Sequence, residues 1–231
     1  PVVVDENANH HPMPSPDGRS LIYLRDRGDV HLLDLATGED RLLLESWWPP
    51  EIQWTSDSRH IIYAKLDLDF NSDIWLMDVN DPEGTTNLTR HPDLDESPRI
   101  SDDGKVVIFR SDRNQIGTDD AYDVYRIFLD ETLAGLSEWE RTKHFEETAK
   151  VAGKKKIIDI VDLEADHDPA DAIAFENLDT AWNRSDRLTS FDGAEDDLLL
   201  SPGGDSILFS AEIDGTQGLY KVDAMGKNRK K

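Results

Sequence analysis

Cysteine is absent from the 231 residues. That excludes a disulfide framework, a thiolate-ligated zinc site and a cysteine nucleophile. Positive charge is scarce: 25 Lys and Arg stand against 49 Asp and Glu, a formal net charge of −24. Phosphate recognition starts from a basic patch, so nucleic acid is excluded as a partner class. No apolar run approaches the ~20 residues that a membrane helix needs. Hydrophobic residues make up only 37%, against ~45–50% in average globular chains. A chain of this length nevertheless buries roughly 70% of its unfolded surface, enough for a core. The opening Pro1-Val2-Val3-Val4 carries neither a basic n-region nor an apolar h-region, which reads as a mature form or an excised segment. The acidity keeps the chain soluble and disfavours anionic partners. It fits a plain solvated surface as well as a field that draws basic substrates. The basic tail Lys227-Asn228-Arg229-Lys230-Lys231 reads as a frayed terminus.

What is present is a repeat. Four segments share a turn signature: Ser15-Pro16-Asp17-Gly18, Thr55-Ser56-Asp57-Ser58, Ser101-Asp102-Asp103-Gly104 and Ser201-Pro202-Gly203-Gly204. Ser suits the first position of a type I turn, Pro the second and Gly the fourth. Ser58 replaces that Gly in the second copy, so its turn is expected to differ. Each turn precedes a β-branched or aromatic run such as Leu21–Leu24, His60–Ala64, Val106–Phe109 or Ile207–Phe209, which makes a hairpin corner. A second strand follows in each copy: Asp29–Leu35, Asp73–Val79, Asp123–Leu129 and Gly218–Ala224. A third marker, a polar turn with a short strand, recurs at Thr37–Leu44, Gly84–Thr89 and Arg187–Thr189.

The first two turn-to-turn spacings, 55 − 15 = 40 and 101 − 55 = 46, match the period of a four-stranded propeller blade, ~40–50 residues. The third, 201 − 101 = 100, requires an insertion. Ser137 and Glu140 form a capping box. Trp139, Thr142, Phe145 and Ala149 then fall near one helical face, and Gly153 ends the helix. After the basic triplet Lys154–Lys156, a strand over 157–163 and an acidic loop over 166–171 are expected. The fold class is therefore all-β: a β-propeller of four-stranded antiparallel blades with a helical insertion in the third. Blades are expected at about 10–46, 47–92, 93–190 with the insertion at 130–180, and 191–226. The helix is expected on the outside of blade three. Four blades make either the smallest ring or an arc of a larger one. The arc is the expectation, because nothing pairs the first and last strands.

Ser-Pro-Asp-Gly before an apolar strand, then Asp73-Ile74-Trp75-Leu76-Met77-Asp78-Val79 and Asn87-Leu88-Thr89-Arg90-His91-Pro92, resembles the propeller repeat of TolB and of tricorn-type peptidases. The stretches Asp69–Trp75 and His91–Pro98 are most similar to the N-terminal propeller of bacterial tricorn-like serine peptidases. So is the ordered insertion that returns through Asn177-Leu178-Asp179 and Asp186–Thr189. The resemblance implies a propeller ahead of PDZ and peptidase domains in the parent chain. Such a propeller would guide peptides or support assembly, with a peptide or protein as partner and an exported or periplasmic location, the cytoplasm being the alternative. A TolB-like interaction propeller without a peptidase is the other reading.

Chemistry is sparse. A nucleophilic serine needs a base and oxyanion donors, and no Gly-x-Ser-x-Gly elbow occurs. Ser201 and Ser206 flank a glycine pair already assigned to a turn. Phosphate-binding glycine loops are absent, so no catalytic residue and no cofactor is expected. Asp67, Asp69, Asn71 and Asp73 alternate as in a calcium loop, without its glycine or closing glutamate. A polar loop whose Asx side chains bond their own backbone explains them equally. Asp166-His167-Asp168 is too small a set for zinc, and His10-His11 reads as a capped terminus. Trp47-Trp48-Pro49-Pro50 either packs between blades one and two or lines a peptide-binding mouth. His91, on the link between two blades, joins Trp47 and Trp48 as a peptide-binding candidate.

Overall fold

The computed structural model describes residues 6–113, 122–152, 172–191 and 193–231. The expectations for Gly153, the basic triplet, the strand over 157–163 and Asp166-His167-Asp168 lie outside them.

Fifteen strands form four antiparallel sheets among the described residues. The first holds β1 (Asn9–Pro14), β2 (Ser20–Arg25), β3 (Asp29–Asp34) and β4 (Asp40–Leu44) in sequential order. The second holds β5 (Glu51–Trp54), β6 (His60–Leu66), β7 (Ser72–Asp78) and β8 (Asp81–Asn87) in the same order. In the third, β9 (Asp95–Ile100), β10 (Val106–Ser111) and β11 (Asp123–Phe128) precede two helices, α1 (Glu131–Gly135) and α2 (Glu138–Ala152). After a 3₁₀ turn at Leu178–Arg184, β12 (Ser185–Arg187) completes that sheet. The fourth sheet has three strands, β13 (Asp196–Leu200), β14 (Ser206–Ile213) and β15 (Thr216–Asp223). The tail is not frayed at Lys230, whose backbone exchanges two 2.8 Å hydrogen bonds with Lys221 on the outer edge of β15.

The recurring turns are nearly identical. In each, the fourth N–H bonds the first C=O, at 2.8–3.2 Å for Gly18, Ser58, Gly104 and Gly204. The opening hydroxyl then accepts the N–H five residues on, at 2.9 Å in Ser15, 3.1 Å in Thr55 and Ser101, and 3.0 Å in Ser201. That second bond explains why Ser or Thr opens every copy. The expectation for Ser58 is corrected: at φ 58° it adopts the left-handed conformation of Gly18, Gly104 and Gly204. Its Oγ accepts the Asp17 N–H at 3.0 Å, so a side chain here joins two turns. Ser56 Oγ in turn donates to Asp102 O at 2.5 Å, and Asp102 N to Pro202 O at 2.9 Å. All four turns are thus strung together at one end of the sheets.

Between the sheets lies the core. Ile22, Leu24, Val30 and Leu32 meet Trp54, Ile61, Tyr63 and Met77 between sheets one and two. Ile62, Ala64, Ile74 and Leu76 meet Val107, Phe109, Tyr125 and Ile127 between two and three. Ile108 and Val124 meet Leu198, Ile207, Phe209 and Val222 between three and four. Alternation along each strand sends one set of side chains backward and the other forward. Burying both sets requires a neighbour on each side, the physical basis of blade stacking. Forward positions of the fourth sheet, Leu199, Leu208 and Leu219, are exposed.

The described part of the insertion does not lie outside blade three. It joins a third strand to a fourth and therefore leaves from the end that carries the recurring turns. Helix α2 crosses that end, with a Cβ on Gly203 falling 2.6 Å from the backbone of Ala149. Thr148 Oγ1 donates to Gly203 O at 2.5 Å. The capping box forms: Ser137 N donates to Glu140 Oε2 at 2.9 Å, and Glu140 N to Ser137 Oγ at 3.4 Å. Of the four side chains expected near one helical face only Phe145 is buried, against Val106, Phe128, Leu133 and Ala224. Trp139 and Thr142 are exposed and Ala149 is half-buried, because the helix rests on the sheet ends along a narrow line. The returning chain is held over sheets two and three: Ile173 N donates to Asp57 Oδ2 at 2.9 Å, and Phe175 meets His60 edge-on at 5.0 Å.

Candidate functional site

With helix and returning chain over the turn end, the opposite end is formed by second-to-third-strand loops and by links between sheets. Several residues singled out in the sequence meet there. Trp47, half-buried on the β4–β5 link, stands edge-on to Phe70 of the β6–β7 loop at 5.7 Å and 6.2 Å from Trp48. Asn71 Nδ2 of that loop donates to His91 O on the β8–β9 link at 3.0 Å. A tight approach locks the first link: a Cβ on Gly28, in the β2–β3 turn, would sit 2.6 Å from Trp48 C and O. Trp47 thus packs against the β6–β7 loop while Trp48 is exposed.

Of the four oxygen-bearing residues, Asp67 in the β6–β7 loop and Asp73 in β7 have carboxylates used internally. Asp67 Oδ1 accepts from Asp69 N at 2.8 Å and Asn71 N at 2.9 Å. Asp73 accepts from Thr89 Oγ1 and Asn87 Nδ2, both at 2.8 Å, and from His91 N at 3.1 Å. Among the described residues no three His, Asp or Glu side chains gather as metal ligands. His91, half-buried, has its Nδ1 3.3 Å from an Asp93 carboxylate oxygen.

Two buried carboxylates on this end have no counterpart in the sequence reading. Asp95 and Glu195 are fully buried. Each lies six residues after a threonine, Thr89 or Thr189, whose hydroxyl accepts an N–H of the preceding sheet, from Ile74 at 3.0 Å and Val124 at 2.8 Å. Burial pushes both carboxyls upward. Asp95 is met by the guanidinium of Arg113, with Nη2 at 2.5 Å. Arg113 lies twelve residues after Ser101, and the residue twelve after Ser201 is Ile213. Glu195 accordingly lacks that cation. It accepts from Thr189 Oγ1 at 3.0 Å, its Oε1 has no hydrogen-bond partner among the described residues, and burial together with the nearby Asp123 lifts it to about 8. The equal six-residue spacing was the signal available in the sequence. At the turn end the opposite holds for Asp57: burial opposes its ionisation, but hydrogen bonds from His60, Thr55, Ile173 N and Arg59 N keep it far below the usual carboxylate range.

The stacked antiparallel sheets define a β-propeller fold. The fold matches that of tricorn protease with a TM-score of 0.67 at 15% identity, covering 98% of this chain and 22% of that one. It matches a putative TolB from Agrobacterium tumefaciens with a TM-score of 0.55 at 16% identity, covering 99% and 82%. A puromycin hydrolase gives a TM-score of 0.60 at 12% identity, covering 99% and 29%. No protein-family model and no curated protein matches the sequence. The chain thus spans about a fifth of the length of tricorn protease. No helix among the described residues is long and apolar enough to cross a membrane.

Proposed function

We propose that the chain is a non-catalytic propeller segment of a tricorn-like serine peptidase, and that its loop end binds or gates peptides on their way to PDZ and peptidase domains of the same parent chain. The supporting observation is that Trp47, Trp48 and Phe70 cluster on the loop end while α2 and the returning chain occupy the turn end. A TolB-like protein-docking propeller is the second reading, favoured by the 82% of the putative TolB that the chain covers. The test is to titrate the purified chain with a labelled peptide library and follow binding and cleavage together. Micromolar binding with intact peptides is expected. Hydrolysis by the purified chain, or failure to bind any peptide, overturns the proposal. Sequencing the reading frame beyond residue 231 separates the two readings: a PDZ and peptidase region supports the first, an immediate stop codon the second.

A further inference from the structure

The loop end carries an apolar knob. Leu68 is 80% exposed, Phe70 69% and Trp48 57%, and Trp47 bridges the latter two. Single exposed apolar residues need no explanation, but a contiguous group marks a contact surface. The loop that carries Leu68 and Phe70 is held by hydrogen bonds, with Asp67 N donating to Asn71 O at 2.8 Å and the Asp67 carboxylate gripping two further N–H groups. Phe70 sits at φ 63°, a conformation that bulky L-residues avoid and that clusters at functional positions. Beside the knob opens a groove of about 520 Å³ bordered by Asp29, Glu45, Trp47, Lys65, Asp67 and Leu68. Three carboxylates there face one ammonium. Exposed aromatic loop tips also suit a bilayer, but this rim and the net charge of −24 repel anionic headgroups.

We infer that the knob and groove dock an extended peptide segment in which an apolar side chain is flanked by Lys or Arg. The apolar residue lies on Trp48 and Phe70, and the cation enters the groove toward Glu45 and Asp67, where the tryptophan faces add cation–π attraction. This rests on the reading of the loop end as a peptide-binding surface and names the peptide class.

Fluorescence anisotropy with three labelled peptides of equal length tests it: Lys-flanked Phe-Leu, Glu-flanked Phe-Leu and Lys-flanked Gly-Ser. The first is expected to bind at least about 10-fold more tightly than either other, with the advantage shrinking as salt screens the rim. Trp48→Ala and Phe70→Gly, whose folding is checked by thermal melts, are expected to weaken it by about 10–30-fold, and Glu45→Lys to reverse the preference. Equal binding of the Glu-flanked peptide overturns the inference while leaving peptide binding in place. Equal binding of the Gly-Ser peptide overturns it by reducing the contact to charge. Full binding by both aromatic variants moves the site elsewhere, and partitioning onto anionic lipid vesicles without peptide binding assigns the knob to membranes. Failure of all three peptides overturns both this inference and the function it rests on.

Discussion

At the scale of residues, two positions show how one side chain decides between competing costs. Glu195 is a buried carboxyl, one of whose oxygens has no partner among the described residues, and it is raised to about 8. An acid raised in the folded state binds more protons there than when unfolded, so stability falls as pH rises between the unfolded value and the folded one. The melting temperature is therefore expected to fall between about pH 5 and pH 8, and Glu195→Gln to flatten that slope and gain most at pH 8. Differential scanning calorimetry of both proteins across this range is the check, and an unchanged slope would contradict the assignment. Ser58 balances a left-handed backbone against its hydrogen bond to Asp17 N. Each is worth about 1 kcal/mol. Ser58→Gly removes both and is expected to be neutral within about 0.5 kcal/mol. Ser58→Ala keeps the strain, loses the bond and is expected to cost about 1 kcal/mol in urea denaturation.

Among the elements, the helix of the insertion is the one whose existence and position have separate causes. Its start was legible in Ser137 and Glu140, because a capping box is a local arrangement. Its location was not, because that depends on which end of the sheet a third-to-fourth-strand connection leaves and on where Phe145 finds apolar cover. Gly203 is the contact that fixes it: the helix backbone lies where a Cβ would be. Gly203→Ala is expected to lift α2, raising hydrogen–deuterium exchange through Glu138–Ala152 and lowering stability by about 1–3 kcal/mol. Protection of that helix unchanged from the parent chain would refute the packing argument. The strands were legible for the reason the cap was. Alternation and turn residues are short-range signals, whereas the contacts of Trp47 with Phe70 and of Asn71 with His91 join segments about 20 residues apart. Phe70 carried no signal of its own, since nothing local announces that an aromatic residue will stand at positive φ.

For the whole molecule, stacking accounts for both the core and its unfinished side. Leu199, Leu208 and Leu219 occupy the positions that in the first three sheets face the next sheet, as Ile22 and Val30 do in the first. Exposed together, they form an apolar surface that promotes association. Replacing Leu199 and Leu219 by Gln and Leu208 by Lys is expected to lower concentration-dependent self-association in sedimentation velocity. The melting temperature should move by less than about 2 °C, because these side chains have little contact to lose. A large drop in melting temperature would mean that the leucines stabilise the sheet itself.

Within the sequence alone lay the repeat, the hairpin corners and the all-β class, since turn chemistry and the two-residue period of strands act between near neighbours. Tertiary structure decided which of those elements meet: that four turns join in a chain at one end, that α2 lies across them, and that an aromatic knob with an acidic rim stands at the other. Those outcomes depend on distances between residues tens of positions apart, set only when the sheets bury their apolar faces against one another.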